Sequence, residues 1–309
     1  MKVFISTSSF AEYDKSPVRL LESNGFEVVL NPYGRKLKLE EVATLAKGCV
    51  GIIAGTEPLT EEVLRQLPDL KAISRCGTGL DNVDVGAAKK RRIAVRTTPD
   101  APTQAVAELT VALILNVLRR INFMDRQVRS GAWSKEMGRL LSGKTVGIIG
   151  LGRVGRRVTK LLRSFGVKIL ASEPKPDKKW AEKNKVSLTS LEELLRESNI
   201  VTLHIPYTKQ NRNLINAKRL KIMKRGVILI NTSRGGLVDE DALYRALKSE
   251  HLGGAALDAM EIEPYRGPLK ELNNVILTPH IGSYALEARV QMEMEAAKNL
   301  INILRGGRE

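Results

Sequence analysis

The chain has 309 residues, about two domains at the usual ~150 residues each, and is 43% hydrophobic, 27% charged and only 4% aromatic. This is the composition of a soluble α/β protein, with too few aromatics for the stacking platforms of single-stranded nucleic-acid binders. Lys and Arg outnumber Asp and Glu 50 to 34, a net +16; the counts are 15 against 12 in residues 1–98, 31 against 18 in 99–283 and 4 against 4 in 284–309.

Residues 1–6 read as a first strand without the apolar core of a secretion signal, and Cys49 and Cys76 are the only cysteines. Neither a disulfide framework nor a CxxC metal site is available, and a reducing compartment, the cytoplasm, is the expected home. Strands are predicted at 3–6, 27–30, 50–54, 72–75 and 93–96, with helical stretches such as 39–46 and 61–66 between them. That pattern is a five-strand doubly wound sheet, flavodoxin-like. A helix over 101–120 follows, apolar nearly all round and therefore expected to be buried on every side. Its most apolar stretch, 111–118, contains Asn116 and is closed by Arg119 and Arg120, short of the ~20 residues of a membrane span, so no crossing is expected. Six further strands are predicted at 145–150, 167–172, 200–204, 227–231, 254–258 and 275–277, enough for a full Rossmann sheet. The amphipathic helix 285–304 is expected to cross back, giving a first domain of 1–98 completed by 284–309 and a second of 99–283.

The second sheet opens with a dinucleotide signature. Gly150, Gly152 and Gly155 form GxGxxG directly after an apolar strand and at the start of a helix, and the next strand ends in Glu173, 18 residues after Gly155. Gly150 suits the tight turn, Gly152 the approach of a pyrophosphate and Gly155 close helix–strand packing, with Arg153 and Val154 at the helix start. Glu173 suits ribose hydroxyls and repels a 2′-phosphate, which favours NAD over NADP; Lys175 and Lys178 read as solvated loop lysines.

Three histidines are present: His204, His251 and His280. His251 lies at a helix end, where interaction with the helix dipole is the ordinary role. His204 and His280 follow strands, at the carboxyl edge where open α/β sheets place ligands, and His280 is the acid/base candidate. Arg234 and Glu263 follow the strands predicted at 227–231 and 254–258, so the three can meet in one cleft, although each alone could be a surface charge.

Several stretches together carry a family resemblance: residues 75–84 (RCGTGLDNVD), 106–110 (VAELT), the GLGRVG turn, His204-Ile205-Pro206, 231–236 (NTSRGG) and Thr278-Pro279-His280. The chain resembles the D-isomer-specific 2-hydroxyacid dehydrogenases, most nearly the phosphoglycerate dehydrogenase branch, over essentially its whole length. The resemblance implies that Arg234 holds the substrate's carboxylate and 2-oxo oxygen, that His280 protonates that oxygen as hydride arrives from NADH, and that Glu263 hydrogen-bonds the imidazole. It implies substrate-binding backbone amides at Thr78 and Gly79, with closure of the domains around the substrate, and a phosphate grip by Arg75. Thr110, His204, Pro206, Thr232, Ser233 and Asp258 become cofactor neighbours.

Ala54-Gly55-Thr56 lies where phosphoglycerate-selective relatives often place an arginine, and Lys135 after Trp133, from a neighbouring subunit, is a second phosphate candidate. The regulatory extension of longer relatives is absent, so inhibition by serine is not expected. The expected activity is NAD-dependent oxidoreduction of a D-2-hydroxy acid, with 3-phosphoglycerate, and hence serine biosynthesis, leading. Glyoxylate, hydroxypyruvate or another small 2-oxo acid is the alternative, and an NAD-sensing corepressor the alternative of another class. A homodimer through the 101–120 region is implied by resemblance; no metal, nucleic-acid or membrane partner is expected.

Overall fold

In the computed structural model, which describes residues 1–306, the chain folds into two compact units: Met1–Pro102 with Ser283–Glu309, and Thr103–Gly282. The last three residues of the expected 284–309 segment lie outside the described residues.

Five strands build the first unit: β1 (Lys2–Ile5), β2 (Glu27–Leu30), β3 (Gly51–Ala54), β4 (Ala72–Arg75) and β5 (Ala94–Thr97). All pair in parallel in the order β2-β1-β3-β4-β5, with the strand order reversing between β1 and β3. β3 is buried along its whole length, as its run of apolar residues requires in a parallel sheet covered on both faces. One face packs on the helix Leu286–Leu304, whose Met292, Ala296, Leu300 and Ile301 join Val3, Ile5, Ile53 and Ala72 in a single cluster. Ser74 Oγ also donates to the Ala296 carbonyl at 2.8 Å.

The second unit contains β6 (Thr145–Ile149), β7 (Lys168–Ser172), β8 (Val186–Leu188), β9 (Ile200–Leu203), β10 (Val227–Asn231), β11 (Leu252–Leu257) and β12 (Val275–Leu277). They form a parallel sheet in the order β12-β11-β10-β9-β6-β7-β8, which reverses between β6 and β9. The sheet has seven strands, not the six predicted. β8 pairs over three residues, with only Val186 of the three buried, so its sequence shows no strand-length apolar run.

Two more expectations are corrected. The helix Ala101–Arg119 is not buried on every side: Ala107, Leu113, Ile114 and Leu118 pack against Val146, Ile148 and Ile230, whereas Ala112 is exposed and Leu109, Val111, Leu115 and Val117 are only partly covered. By length and composition alone this helix also reaches what a membrane span needs, because Ala101, Ala105, Val106, Ala107 and Leu109 extend the apolar stretch ahead of 111–118, a test that core helices of soluble proteins pass as well. At Arg120 the backbone turns left-handed (φ 53°), and a separate helix, Ile121–Arg129, follows.

Candidate active site

The glycine turn connects β6 to the helix Arg153–Leu162. Gly150 has φ 96°, and a Cβ there would lie 2.5 Å from the His204 carbonyl oxygen; a Cβ on Gly155 would lie 2.0 Å from the Gly150 oxygen. Both positions therefore need glycine, one for conformation and contact and the other for contact alone. The Cβ direction of Gly152 is open, with nothing within 4 Å. Among the described residues, the N–H groups of Gly152 and Val154 have no acceptor, as befits a helix start built to receive an anion.

Glu173 sits just beyond β7 and accepts the Leu151 N–H at 2.9 Å, which ties the acid to the glycine turn. Arg156 is committed to its own neighbours, with its guanidinium 4.9 Å from the Trp180 ring centroid and 3.4 Å from Asp177. Across the reversal point, the His204 N–H donates to the Ile149 carbonyl at 2.8 Å, and its Nε2 lies 3.0 Å from Thr202 Oγ1. Its Nδ1 is buried without a partner, and burial pushes the imidazole down to about 3, so this ring is neutral. An open glycine cradle, two free N–H groups and an orphaned ring nitrogen at one carboxyl edge fit a bound dinucleotide. Arg153, the first residue of its helix, and Pro206, on the loop after β9, lie exposed at that edge.

Beyond β10, Asn231 organises the loop. Fully buried, it donates from Nδ2 to the Arg234 carbonyl at 2.8 Å and accepts the Ser233 N–H at 3.0 Å. Ser233 Oγ donates to the Leu203 carbonyl at 2.6 Å, and the buried hydroxyls of Thr232 and Thr110 lie 2.9 Å apart. The Arg234 Nη1 donates to the Ser233 carbonyl at 2.8 Å. At Gly235 a Cβ would come within 1.9 Å of the Met260 carbonyl carbon, so this glycine lets the arginine loop close on the loop after β11.

That second loop carries Glu263, whose Oε1 and Oε2 lie 3.0 and 3.2 Å from His280 Nδ1. Burial pushes the Glu263 carboxyl up, but the hydrogen bond and charge of His280, the Met260 N–H and the Arg234 charge outweigh it and hold the group below its ordinary value. Asp258, at the end of β11, is 1% exposed and accepts three bonds from the loop after β12: Thr278 Oγ1 at 2.6 Å, and the Ile281 and Gly282 N–H groups at 2.8 Å each. Both its oxygens are thus engaged by the segment on which His280 stands, with φ 56°. His251 lies apart, its Nε2 3.0 Å from the Leu220 carbonyl.

The second unit therefore brings together Arg234, Glu263 and His280 on loops after β10, β11 and β12. An imidazole held through Nδ1 by an ionised carboxylate leaves Nε2 to give or take a proton, with a guanidinium on the adjoining loop. Asn231 and Thr278 are organising residues that the sequence reading passed over. The first lay within the 231–236 motif, but only its hydrogen bonds separate it from a buried strand end.

In the first unit, Arg75 ends β4 and turns back, its Nη1 donating to the Cys76 carbonyl. The Gly77 N–H donates to Thr98 Oγ1 at 2.8 Å, and among the described residues the Thr78 and Gly79 N–H groups have no acceptor. Cys76 is fully buried, which pushes its thiol up to about 12 and leaves it inert. Glu57 is 1% exposed and bridges the two loops at the reversal point of this sheet, accepting from Ser6 Oγ and, at 2.9 Å, from the Gly55 N–H.

Known proteins resemble this chain in sequence and in fold. The family model described as D-isomer specific 2-hydroxyacid dehydrogenase, NAD binding domain, matches residues 111–282. A glyoxylate reductase of Thermofilum pendens is 44% identical over 262 residues, 81% of this chain and 77% of that protein. A D-3-phosphoglycerate dehydrogenase of Archaeoglobus fulgidus is 38% identical over 291 residues, and the match spans 93% of this chain but only 55% of that protein. The crystal structure of D-lactate dehydrogenase from Aquifex aeolicus, complexed with NAD and lactic acid, superposes with a TM-score of 0.86 at 31% identity, covering 99% of this chain and 96% of that one. With the glycine turn, the acid tied to it and the loops after the last three parallel strands all in place, the chain belongs to the D-isomer-specific 2-hydroxyacid dehydrogenases and is an NAD-dependent oxidoreductase.

Proposed function

We propose that this chain reduces a small, unphosphorylated 2-oxo acid, either glyoxylate to glycolate or hydroxypyruvate to D-glycerate. The observation that carries this choice is Glu57. Strand-order reversals are where open parallel sheets receive ligands, and in the first unit that place holds a buried carboxylate bound to the Gly55 N–H and to Ser6. A phosphate brought to this loop would meet that negative charge, the nearest strand neighbour of Ala54 being Arg75 at the end of β4. Arg75, the grip expected from sequence, is turned onto Cys76. The 44% and 43% identities to archaeal proteins named glyoxylate reductase support the same reading.

Arg234 is proposed to hold the substrate's carboxylate and 2-oxo oxygen, a two-pronged task suited to a guanidinium. His280 gives a proton from Nε2 to that oxygen, and Glu263 fixes the ring through Nδ1. In the first unit, the free N–H groups of Thr78 and Gly79 are proposed carboxylate donors. The glycine turn, Thr110, Thr232 and Glu173 would hold NAD, with Glu173 reading the ribose hydroxyls. When bound, the reduced cofactor supplies the hydride that the carbonyl carbon accepts.

A second reading, 3-phosphohydroxypyruvate, rests on the similarity to the Archaeoglobus fulgidus protein. NADH oxidation with glyoxylate, hydroxypyruvate and 3-phosphohydroxypyruvate separates the two. The proposal expects kcat/KM at least tenfold higher for an unphosphorylated acid; the reverse order would replace it with the second reading.

A further inference from the structure

The chemistry above leaves most of the positive charge of this chain without a task. The second unit, residues 103–282, carries 31 Lys and Arg against 17 Asp and Glu, and so holds +14 of the net +16. Part of that charge converges at the amino ends of three central strands. Lys144 precedes β6, Asn199 precedes β9, and Lys224, Arg225 and Gly226 precede β10; with Arg139 they line a shallow, partly open cleft.

We propose that this cleft is a binding site for a small oxyanion of the diphosphate type. Arg139 is fixed in place, its N–H donating to the Leu118 carbonyl at 2.9 Å and its Nη1 to the Gly226 carbonyl at 2.8 Å. Gly226 has φ 78°, and a Cβ on it would lie 3.0 Å from that Nη1, so the glycine makes room for the guanidinium. Lys224 donates to the Glu197 carbonyl at 2.6 Å and lies 3.5 Å from the Glu197 carboxylate. Among the described residues, Lys144 and Arg225 have no ion pair or side-chain hydrogen bond. Asn199 accepts the Thr145 N–H at 2.9 Å through Oδ1, so its NH2 remains as a neutral donor.

The four cations that line the cleft, of which only Lys224 is paired with a carboxylate, repel one another until an anion neutralises them. The shape favours a compact anion over a nucleic acid. The cleft is concave, and its apolar floor of Leu118, Ile200, Val227 and Ile228 has no aromatic ring on which a base could stack. It is also separate from the cofactor cradle: the five residues of β6 put roughly 16 Å between Lys144 and the glycine turn, at ~3.3 Å per residue.

The test is calorimetric titration of pyrophosphate into the full chain saturated with NAD, which occupies the glycine turn, in dilute salt. One further binding event is expected, weakened at least tenfold in Arg139→Gln/Arg225→Gln while the NADH affinity of that variant stays at the wild-type value. Lys144→Gln, on a different segment, is expected to weaken it about threefold. A parallel titration with ADP separates a free oxyanion from the diphosphate of a nucleotide, and binding of either that the variants lose supports the site. Absence of binding by both, or equal binding in wild type and variants, overturns it.

Discussion

The Glu263 carboxylate faces His280 Nδ1 with both oxygens, at 3.0 and 3.2 Å, and this contact sets the orientation of the imidazole. Because the Glu263 carboxyl is held below its ordinary value of 4.5, its contribution to folding is complete above that pH and is lost as the pH falls through the lowered value. Glu263→Gln should therefore be less stable than wild type at neutral pH, with the difference closing below about 4.5. Urea midpoints measured between pH 3 and 8, on the order of one point per unit, check this. The same variant should move the acid limb of the kcat/KM profile, an effect that loss of packing alone would not produce.

Asp258 holds the segment that carries the same histidine. Its three bonds to Thr278, Ile281 and Gly282 are buried, and removing one acceptor leaves groups that each cost about 1–3 kcal/mol when unsatisfied. Asp258→Ala is expected to lose about 2–4 kcal/mol of stability, within the range of a broken buried network. Asp258→Asn, which keeps the shape, should lower kcat more than it raises the KM for NADH. A change confined to the KM for NADH would mean that the carboxylate serves the cofactor and not the His280 loop.

The glycine turn offers a contrast within three residues. Gly155→Ala places a methyl 2.0 Å from the Gly150 oxygen and must displace backbone, so it should both destabilise the chain and abolish NADH binding. Gly152→Ala meets open space and should leave stability within about 1 kcal/mol, while weakening NADH at least tenfold because the methyl occupies the approach to the helix start. Thermal melts and NADH fluorescence titrations on the pair read the two effects separately.

Glu173 is expected to set cofactor choice. Glu173→Ser removes the charge that repels a 2′-phosphate, and the ratio of kcat/KM for NADH over NADPH should fall at least tenfold. An unchanged ratio would leave Glu173 only its bond to the Leu151 N–H.

Much of this was legible in the sequence, for physical reasons that differ by element. β10 and β12 match their predicted ranges because uninterrupted apolar, mostly β-branched runs are conspicuous, and the loops after them carry the charged side chains on which the chemistry rests. Glycines signal conformation, so the turn at Gly150 could be placed before any coordinates. β8 could not, because its Val-Ser-Leu is interrupted by an exposed serine, and the one-sided cover of the helix over 101–120 within this chain is not legible because an apolar side chain in sequence carries no record of what covers it. Hydrogen-bond commitments were invisible too. Asn231, Asp258 and Glu57 are read as organising groups only once their partners 2 to 51 positions away are known, and the turn of Arg75 onto Cys76 is a choice of rotamer, not of composition.

The central claim is that His280 exchanges the proton of the reaction. Its most direct test is steady-state NADH oxidation by His280→Ala with whichever 2-oxo acid the wild type reduces fastest. General acid catalysis contributes typically 10²–10⁴-fold, so kcat should fall by about 10³ while the Kd for NADH stays within about threefold of wild type. A kcat within tenfold of wild type would contradict the assignment.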